Sequence, residues 1–151
     1  SEGRRVGSAD VYKMQASRAS IPEGFQPRRR DSGFTDPWEP IYHRSDDNGI
    51  SLGLHARDAH ANSRGFVHGG LLSALCDNAM GLSCVPHLGD IKGLVTVNLS
   101  LDFLGSAQVG QWLEFRADVT QTGRSLSFAS ATVFADGRPC ARATGVFKAQ
   151  R

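Results

Sequence analysis

One long helix followed by a run of strands predicts an α+β domain, with an antiparallel sheet wrapped over a single central helix. The helix is read from residues 68–85, where Leu71, Leu75, Ala79 and Leu82 fall on one stripe with Leu72 beside it. The strands are read from residues 95–148, where the apolar period changes to two. The breaks at residues 105–110, 122–124 and 136–138 are too short to hold a crossover helix. Neighbouring strands should therefore run antiparallel, as a meander.

Taken in order, residues 1–36 show no sustained periodicity and contain Pro22, Gly24, Pro27 and Gly33. They are expected to form an irregular or partly helical leader, and the folded domain is expected to span residues 37–151, entered at Trp38. Residues 41–57 read as two short strands broken at Asp46-Asp47-Asn48-Gly49, a strong turn signal. A loop with Asn62 and Gly65 leads to the helix, and Pro86 and Gly89 end it. Val95, Val97, Leu99, Leu101 and Phe103 then alternate with Thr96, Asn98, Ser100 and Asp102. Residues 111–121 alternate around Leu113, Phe115, Ala117 and Val119, and runs at 125–135 and 139–148 complete the series.

Composition narrows the function classes. The 151 residues suit one domain, and 40% hydrophobic content supplies a core. No apolar run approaches a membrane span or a signal peptide. Cys76, Cys84 and Cys140 form no CxxC spacing, so free buried thiols in a reducing cytoplasm are expected. His43, His55, His60, His68 and His87 lack ligand spacing, so neither a metal nor another cofactor is expected. Residues 1–36 hold seven basic and five acidic groups, while the rest holds ten of each. Arg28-Arg29-Arg30 is too short a run to argue for nucleic acid.

The helix carries the chemistry. Between Gly65 and Gly89 the only formally charged residue is Asp77. It lies roughly opposite the Leu71/Leu75 stripe, among Ser73, Met80, Gly81 and Cys84. Both faces of the helix therefore look covered, one by the sheet and the other by a second subunit. A lone carboxylate there is costly unless it is paired or used; it is either a structural acid or a catalytic one. His68-Gly69-Gly70 opens the helix with two glycines, poor helix formers whose bare N–H groups suit a developing oxyanion. Gly69 and Asp77 are eight positions apart, about 12 Å along the axis, and cannot serve one carbonyl from the same helix. Two antiparallel helices across a two-fold would unite them, so a homodimer, or a homotetramer built as a dimer of dimers, is expected.

The stretch Asn62-Ser63-Arg64-Gly65-Phe66-Val67-His68-Gly69-Gly70, six further residues and Asp77-Asn78 resembles the PaaI-like branch of the hotdog-fold acyl-CoA thioesterases. The resemblance covers roughly residues 40–148. It implies a hotdog fold and hydrolysis of an acyl-CoA to free acid and CoA. Position by position, it implies Asp77 as nucleophile or general base and Gly69 N–H as donor to the thioester carbonyl, with Gly70 beside it. Asn62 would orient substrate or water, His68 would hold the loop, and Thr96 would help to place the attacking water. Arg124 and Ser125, in a hairpin turn after Gly123, fall where the family can contact CoA. A hotdog module that senses acyl-CoA without cleaving it is the alternative; the presence of Asp77 and the short leader weigh against it. A hotdog dehydratase or hydratase would need a different His/Asp or His/Glu layout.

Overall fold

Among the described residues, alternating apolar and polar side chains resolve into seven strands that build one antiparallel sheet. The computed structural model describes residues 20–28 and 32–151. The strands are β1 (Gln26–Pro27), β2 (Tyr42–Ser45), β3 (Ile50–His55), β4 (Gly93–Phe103), β5 (Trp112–Thr122), β6 (Leu126–Ala135) and β7 (Arg138–Gln150). Among the described residues the one α-helix, α1 (Gly69–Cys84), falls between β3 and β4. The sheet order is β1-β2-β3-β5-β6-β7-β4. This is the hotdog arrangement, a sheet wrapped on one central helix.

Period two decides the faces. On β5, Leu113, Phe115 and Ala117 are buried while Arg116 and Asp118 are exposed. On β6, Ala129, Ala131, Val133 and Ala135 point inward, as do Ala141, Ala143 and Phe147 of β7. The run of alanines lets the helix lie close to the sheet. Leu71, Leu72, Leu75, Cys76, Ala79, Met80 and Cys84 fill that contact, and each fully buried Leu contributes about 1.5–3 kcal/mol. Gly145 belongs here because a Cβ would meet the Phe147 ring at 2.8 Å and Met80 Cε at 3.1 Å.

Two features depart from the sequence reading. The meander holds for β5-β6-β7, but β4 is not beside β5. It crosses to the far side and pairs with β7, leaving it an edge strand. The helix lies across the sheet between β3 and β4, so the chain leaves the helix on the side away from β3. β4 also carries a bulge. Thr96 opposes Phe147 and Asn98 opposes Val146, with Val97 the extra residue. Phe147 and Gly145 face the helix, so Thr96 and Leu94 lie on the same face as Leu99, Leu101 and Phe103. Unbroken alternation would have turned Thr96 away.

The leader departs too. Residues 1–19 and 29–31, including Arg29 and Arg30, lie outside the described residues. The described remainder is tied to the sheet. β1 pairs with β2 through Gln26–His43 and Pro27–Tyr42. Phe25 is only 8% exposed, edge-on to Trp112 with centroids 5.2 Å apart and capped by the Arg44 guanidinium at 4.6 Å. Arg28 reaches Thr35 Oγ1 at 3.2 Å and Glu39 Oε1 at 3.0 Å. The fold thus continues across the expected boundary at residue 37. Phe25→Ala should cost about 3 kcal/mol by urea unfolding, whereas Phe34→Ala, at a residue 69% exposed, should cost well under about 1 kcal/mol. Equal small losses would show that Phe25 adds nothing to the core.

Candidate active site

The chain enters α1 through a braced loop. Asn62 Oδ1 accepts from the N–H groups of Arg64 at 2.9 Å and Phe66 at 3.2 Å. Asn62 N–H donates to the Phe66 carbonyl and Gly65 N–H to the Asn62 carbonyl. Gly65 takes φ +82°, a left-handed backbone that glycine adopts without strain. His68 then caps the helix, its Nδ1 accepting from Gly70 N–H at 3.0 Å. A Cβ at Gly70 would sit 3.1 Å from that nitrogen, so the second glycine makes room for the cap. Leu71 and Leu72 N–H both donate to the His68 carbonyl. The Gly69 N–H remains as the first-turn donor with no carbonyl one turn back to meet. Gly69 itself faces β4: a Cβ there would lie 3.2 Å from Phe103 Cζ.

Two turns further along, half-buried Asp77 meets the other end of β4. Thr96 Oγ1 donates to Asp77 Oδ1 at 2.6 Å. The bulge at Val97 makes this bond possible by turning Thr96 to the helix side. A cleft of about 350 Å³ opens beside the pair, lined by Asn78, Gly81, Leu94 and Phe147 among others. It lies at the small end of ligand-pocket sizes. Gly81 keeps it open, since a Cβ there would be 3.5 Å from the Phe147 ring and 3.7 Å from Leu94 Cδ2.

The residues singled out in the sequence thus form two clusters on one helix. His68, Gly69 and Gly70 sit at its start, led in by Asn62; Asp77 and Thr96 sit two turns on. Arg124 and Ser125 occupy the exposed β5–β6 turn. Their carbonyls accept from Arg151 Nε at 3.2 Å and Ala149 N–H at 2.9 Å. That turn lies at the Leu126–Lys148–Val95 end of the sheet, the Thr96 side. Cys76, Cys84 and Cys140 are buried free thiols, as expected. Burial pushes the Cys76 thiol up to about 12, with Cys140 and Asp77 adding to the effect. Among the described residues no three His, Cys, Asp or Glu side chains gather as a metal site. No helix among them is long and apolar enough to cross a membrane.

The model of the thioesterase superfamily matches residues 64–141, the span from the loop before α1 into β7. The chain belongs to this superfamily. PA0474 of Pseudomonas aeruginosa, assigned as an esterase, is 40% identical over 129 residues, 85% of this chain and 96% of that protein. Acyl-coenzyme A thioesterase 13 of Homo sapiens is 30% identical over 79 residues, 51% of this chain and 54% of that protein. The crystal structure of smu.793 from Streptococcus mutans UA159 bound to acetyl CoA superposes with a TM-score of 0.67 at 26% identity, covering 75% of this chain and 90% of that one.

The sequence patterns singled out Asp77 and the Gly69–Gly70 turn. They did not single out Leu94 and Phe147, which line the cleft beside Asp77 and carry no polar chemistry to stand out, or His60. That residue is 1% exposed beneath the helix start. Its Nδ1 accepts from Arg57 N–H at 3.1 Å and its Nε2–H donates to the Trp38 carbonyl at 3.0 Å. Burial lowers its pKa to about 4, with Arg57 adding to the shift and the Trp38 bond opposing it. An unfolded histidine titrates near 6.5, so between those values the unfolded chain binds the extra proton. Stability from this group is therefore full above about pH 6.5 and falls as pH drops toward 4, by about 3 kcal/mol. His60→Gln should flatten that part of the stability-versus-pH curve in urea titrations. An unchanged slope would assign the acid sensitivity to other groups.

Proposed function

We propose that this chain hydrolyses acyl-CoA thioesters to free acid and CoA, at two sites each shared by two copies. One observation carries the reading. A carboxylate held by a threonine hydroxyl stands on an otherwise uncharged helix, and that same helix opens with an uncommitted glycine N–H. The superfamily supplies the thioester chemistry. The human relative's name and the acetyl CoA on smu.793 support acyl-CoA as the substrate class.

In this scheme the thioester carbonyl oxygen accepts from Gly69 N–H of one copy. Asp77 of the other copy attacks the carbonyl carbon, or takes a proton from the water that does so. Thr96 holds one carboxylate oxygen and leaves the other for this task. Negative charge gathers on the carbonyl oxygen in the tetrahedral intermediate, where the N–H and the helix dipole stabilise it. The C–S bond then breaks and CoA leaves as thiolate, which is protonated. On the water route the acid is released at once; on the direct route a water molecule then cleaves the anhydride formed between Asp77 and the acyl group, releasing the acid and restoring the carboxylate. His68 holds the Gly69–Gly70 turn in place. Asn62 spends its carbonyl oxygen on its own loop, so only its amide N–H groups are left to orient substrate. Arg124 and Ser125, at the sheet end nearest Thr96, are assigned to CoA itself. Three buried thiols fit a reducing compartment, and the cytoplasm is the proposed location.

Sharing follows from distance. Gly69 and Asp77 are about 12 Å apart along one axis, beyond the reach of a single carbonyl group. A panel of acyl-CoAs with free-thiol detection tests the activity. Asp77→Asn should lower kcat by about a hundredfold or more, the scale of a lost general base, while the protein stays folded. Near-normal turnover in the folded variant would refute the assignment. A second experiment mixes inactive Asp77→Asn with inactive Gly69→Pro, which lacks the N–H. Each mixed dimer then holds one intact site, and part of the activity should return. No recovery, with mixed dimers shown to form, would count against sharing.

A further inference from the structure

The cleft beside Asp77 has a direction. Its helix wall passes from Asp77 through Gly81 to Val85, about 12 Å along the axis. Its sheet wall passes from Thr96 through Leu94 to Gly93 and on to Ile91, and the strand steps from Thr96 to Gly93 cover about 10 Å. The two walls are tied together at one end by the 2.6 Å hydrogen bond between Thr96 and Asp77. Both then run away from that bond toward the same end, so the cleft is elongated rather than round.

Polarity is confined to one end. Asp77, Asn78 and Thr96 stand at the hydrogen-bonded end, whereas Leu82, Leu94, Phe147, Ile91 and Val85 bring only hydrocarbon to the rest. Val85 is 41% exposed, so the apolar end opens to water. Binding clefts place a few polar groups where orientation is fixed and leave the remaining wall apolar. A ligand that matches this wall carries its reactive carbonyl at one end and a length of hydrocarbon behind it.

Resting on the proposed hydrolysis at Asp77, we infer that the acyl group is an unbranched aliphatic chain laid along this cleft from Asp77 toward Val85, with Gly81 setting how much of it is held. A branched or aryl acyl group would crowd the Asp77 end and leave Ile91 and Val85 without contact. A straight chain uses the whole wall. Each methylene laid against it should raise kcat/KM by about fourfold, and the gain stops where the chain passes Val85 into water. Gly81 stands midway. A Cβ there would meet only the cleft's own walls, the Phe147 ring at 3.5 Å and Leu94 Cδ2 at 3.7 Å. Those are ordinary contacts, so a side chain at this position takes up cleft space and leaves the backbone of helix and sheet in place.

Straight-chain acyl-CoAs from acetyl to decanoyl, with benzoyl-CoA beside them, test the assignment by release of free thiol. Wild-type kcat/KM should climb with length and then level off, and benzoyl-CoA should fall below hexanoyl-CoA. Gly81→Val should lower the decanoyl-to-acetyl ratio by about sixtyfold, the loss of three methylene contacts at that rate. Val85→Glu, at an exposed residue where folding is not at stake, should lower the same ratio from the far end. A flat length profile or a preference for benzoyl-CoA would overturn the inference. So would a Gly81→Val loss that is equal at every length, which would give the cleft to the CoA arm. Binding separates this inference from the reading on which it rests. S-decyl-CoA and S-ethyl-CoA are thioethers that cannot be hydrolysed. Calorimetry should find the decyl compound the tighter ligand of the wild type, with the difference lost in Gly81→Val. If that holds while no acyl-CoA is cleaved, the hydrolysis falls and the cleft assignment stands. Robust hydrolysis with equal binding of the two thioethers would do the reverse.

Discussion

A helix with one carboxylate and no other charge cannot face open water along its length, and most of this molecule is arranged around that constraint. Leu71, Leu72, Leu75, Ala79 and Met80 take the sheet side. The alanines of β6 and β7, with Gly145, lower the floor so that the helix can settle into it. Close packing has a geometric consequence: it brings both ends of the helix against one strand, β4. Gly69 touches Phe103 and Asp77 touches Thr96 because the helix is pressed onto the sheet, with no linker or mobile loop between the two clusters.

The same closeness explains why the polar groups are few and most are held. Asp77 stays half-buried and keeps one oxygen on Thr96. A carboxylate in that setting keeps part of its solvation, which avoids the large penalty of full burial. His68 consumes one first-turn donor and leaves its neighbour. Ser73 and Ser83 satisfy themselves on the helix carbonyls of Gly69 and Ala79 at 2.9 and 2.7 Å. Apart from Asn78, which lines the cleft, the helix therefore presents one acid and one N–H rather than a general polar face. That selectivity comes from small residues: Gly69 admits the Phe103 ring, Gly70 admits the cap, and Gly81 holds the cleft open.

The sequence made some of this legible and hid the rest for identifiable reasons. Helix period and the absence of charge between Gly65 and Gly89 marked α1 and Asp77 plainly. The glycine pair marked the helix start because two poor helix formers in one turn need a cause. The bulge was invisible. Val95, Val97, Leu99, Leu101 and Phe103 alternate without interruption, and neither glycine nor proline interrupts the run to announce an extra residue. Strand order was hidden too, since a short break after Phe103 suits a hairpin as well as a crossing, and only the helix's position on the sheet decides between them. Phe25 looked like part of a leader because prolines and glycines surround it; its burial depends on Trp112 and Gly53, distant in sequence.

An active site divided between copies ties catalysis to assembly. On the shared-site reading, a lone chain holds a donor without its base and a base without its donor, so occupancy of the dimer sets the number of working sites. Within one copy the bulge already ties the two clusters to one strand. It turns Thr96 to Asp77 at one end of β4, while Phe103 lies against Gly69 at the other. β7 holds that strand through ten paired positions, so the spacing between the two clusters is set by the sheet as well as by the helix.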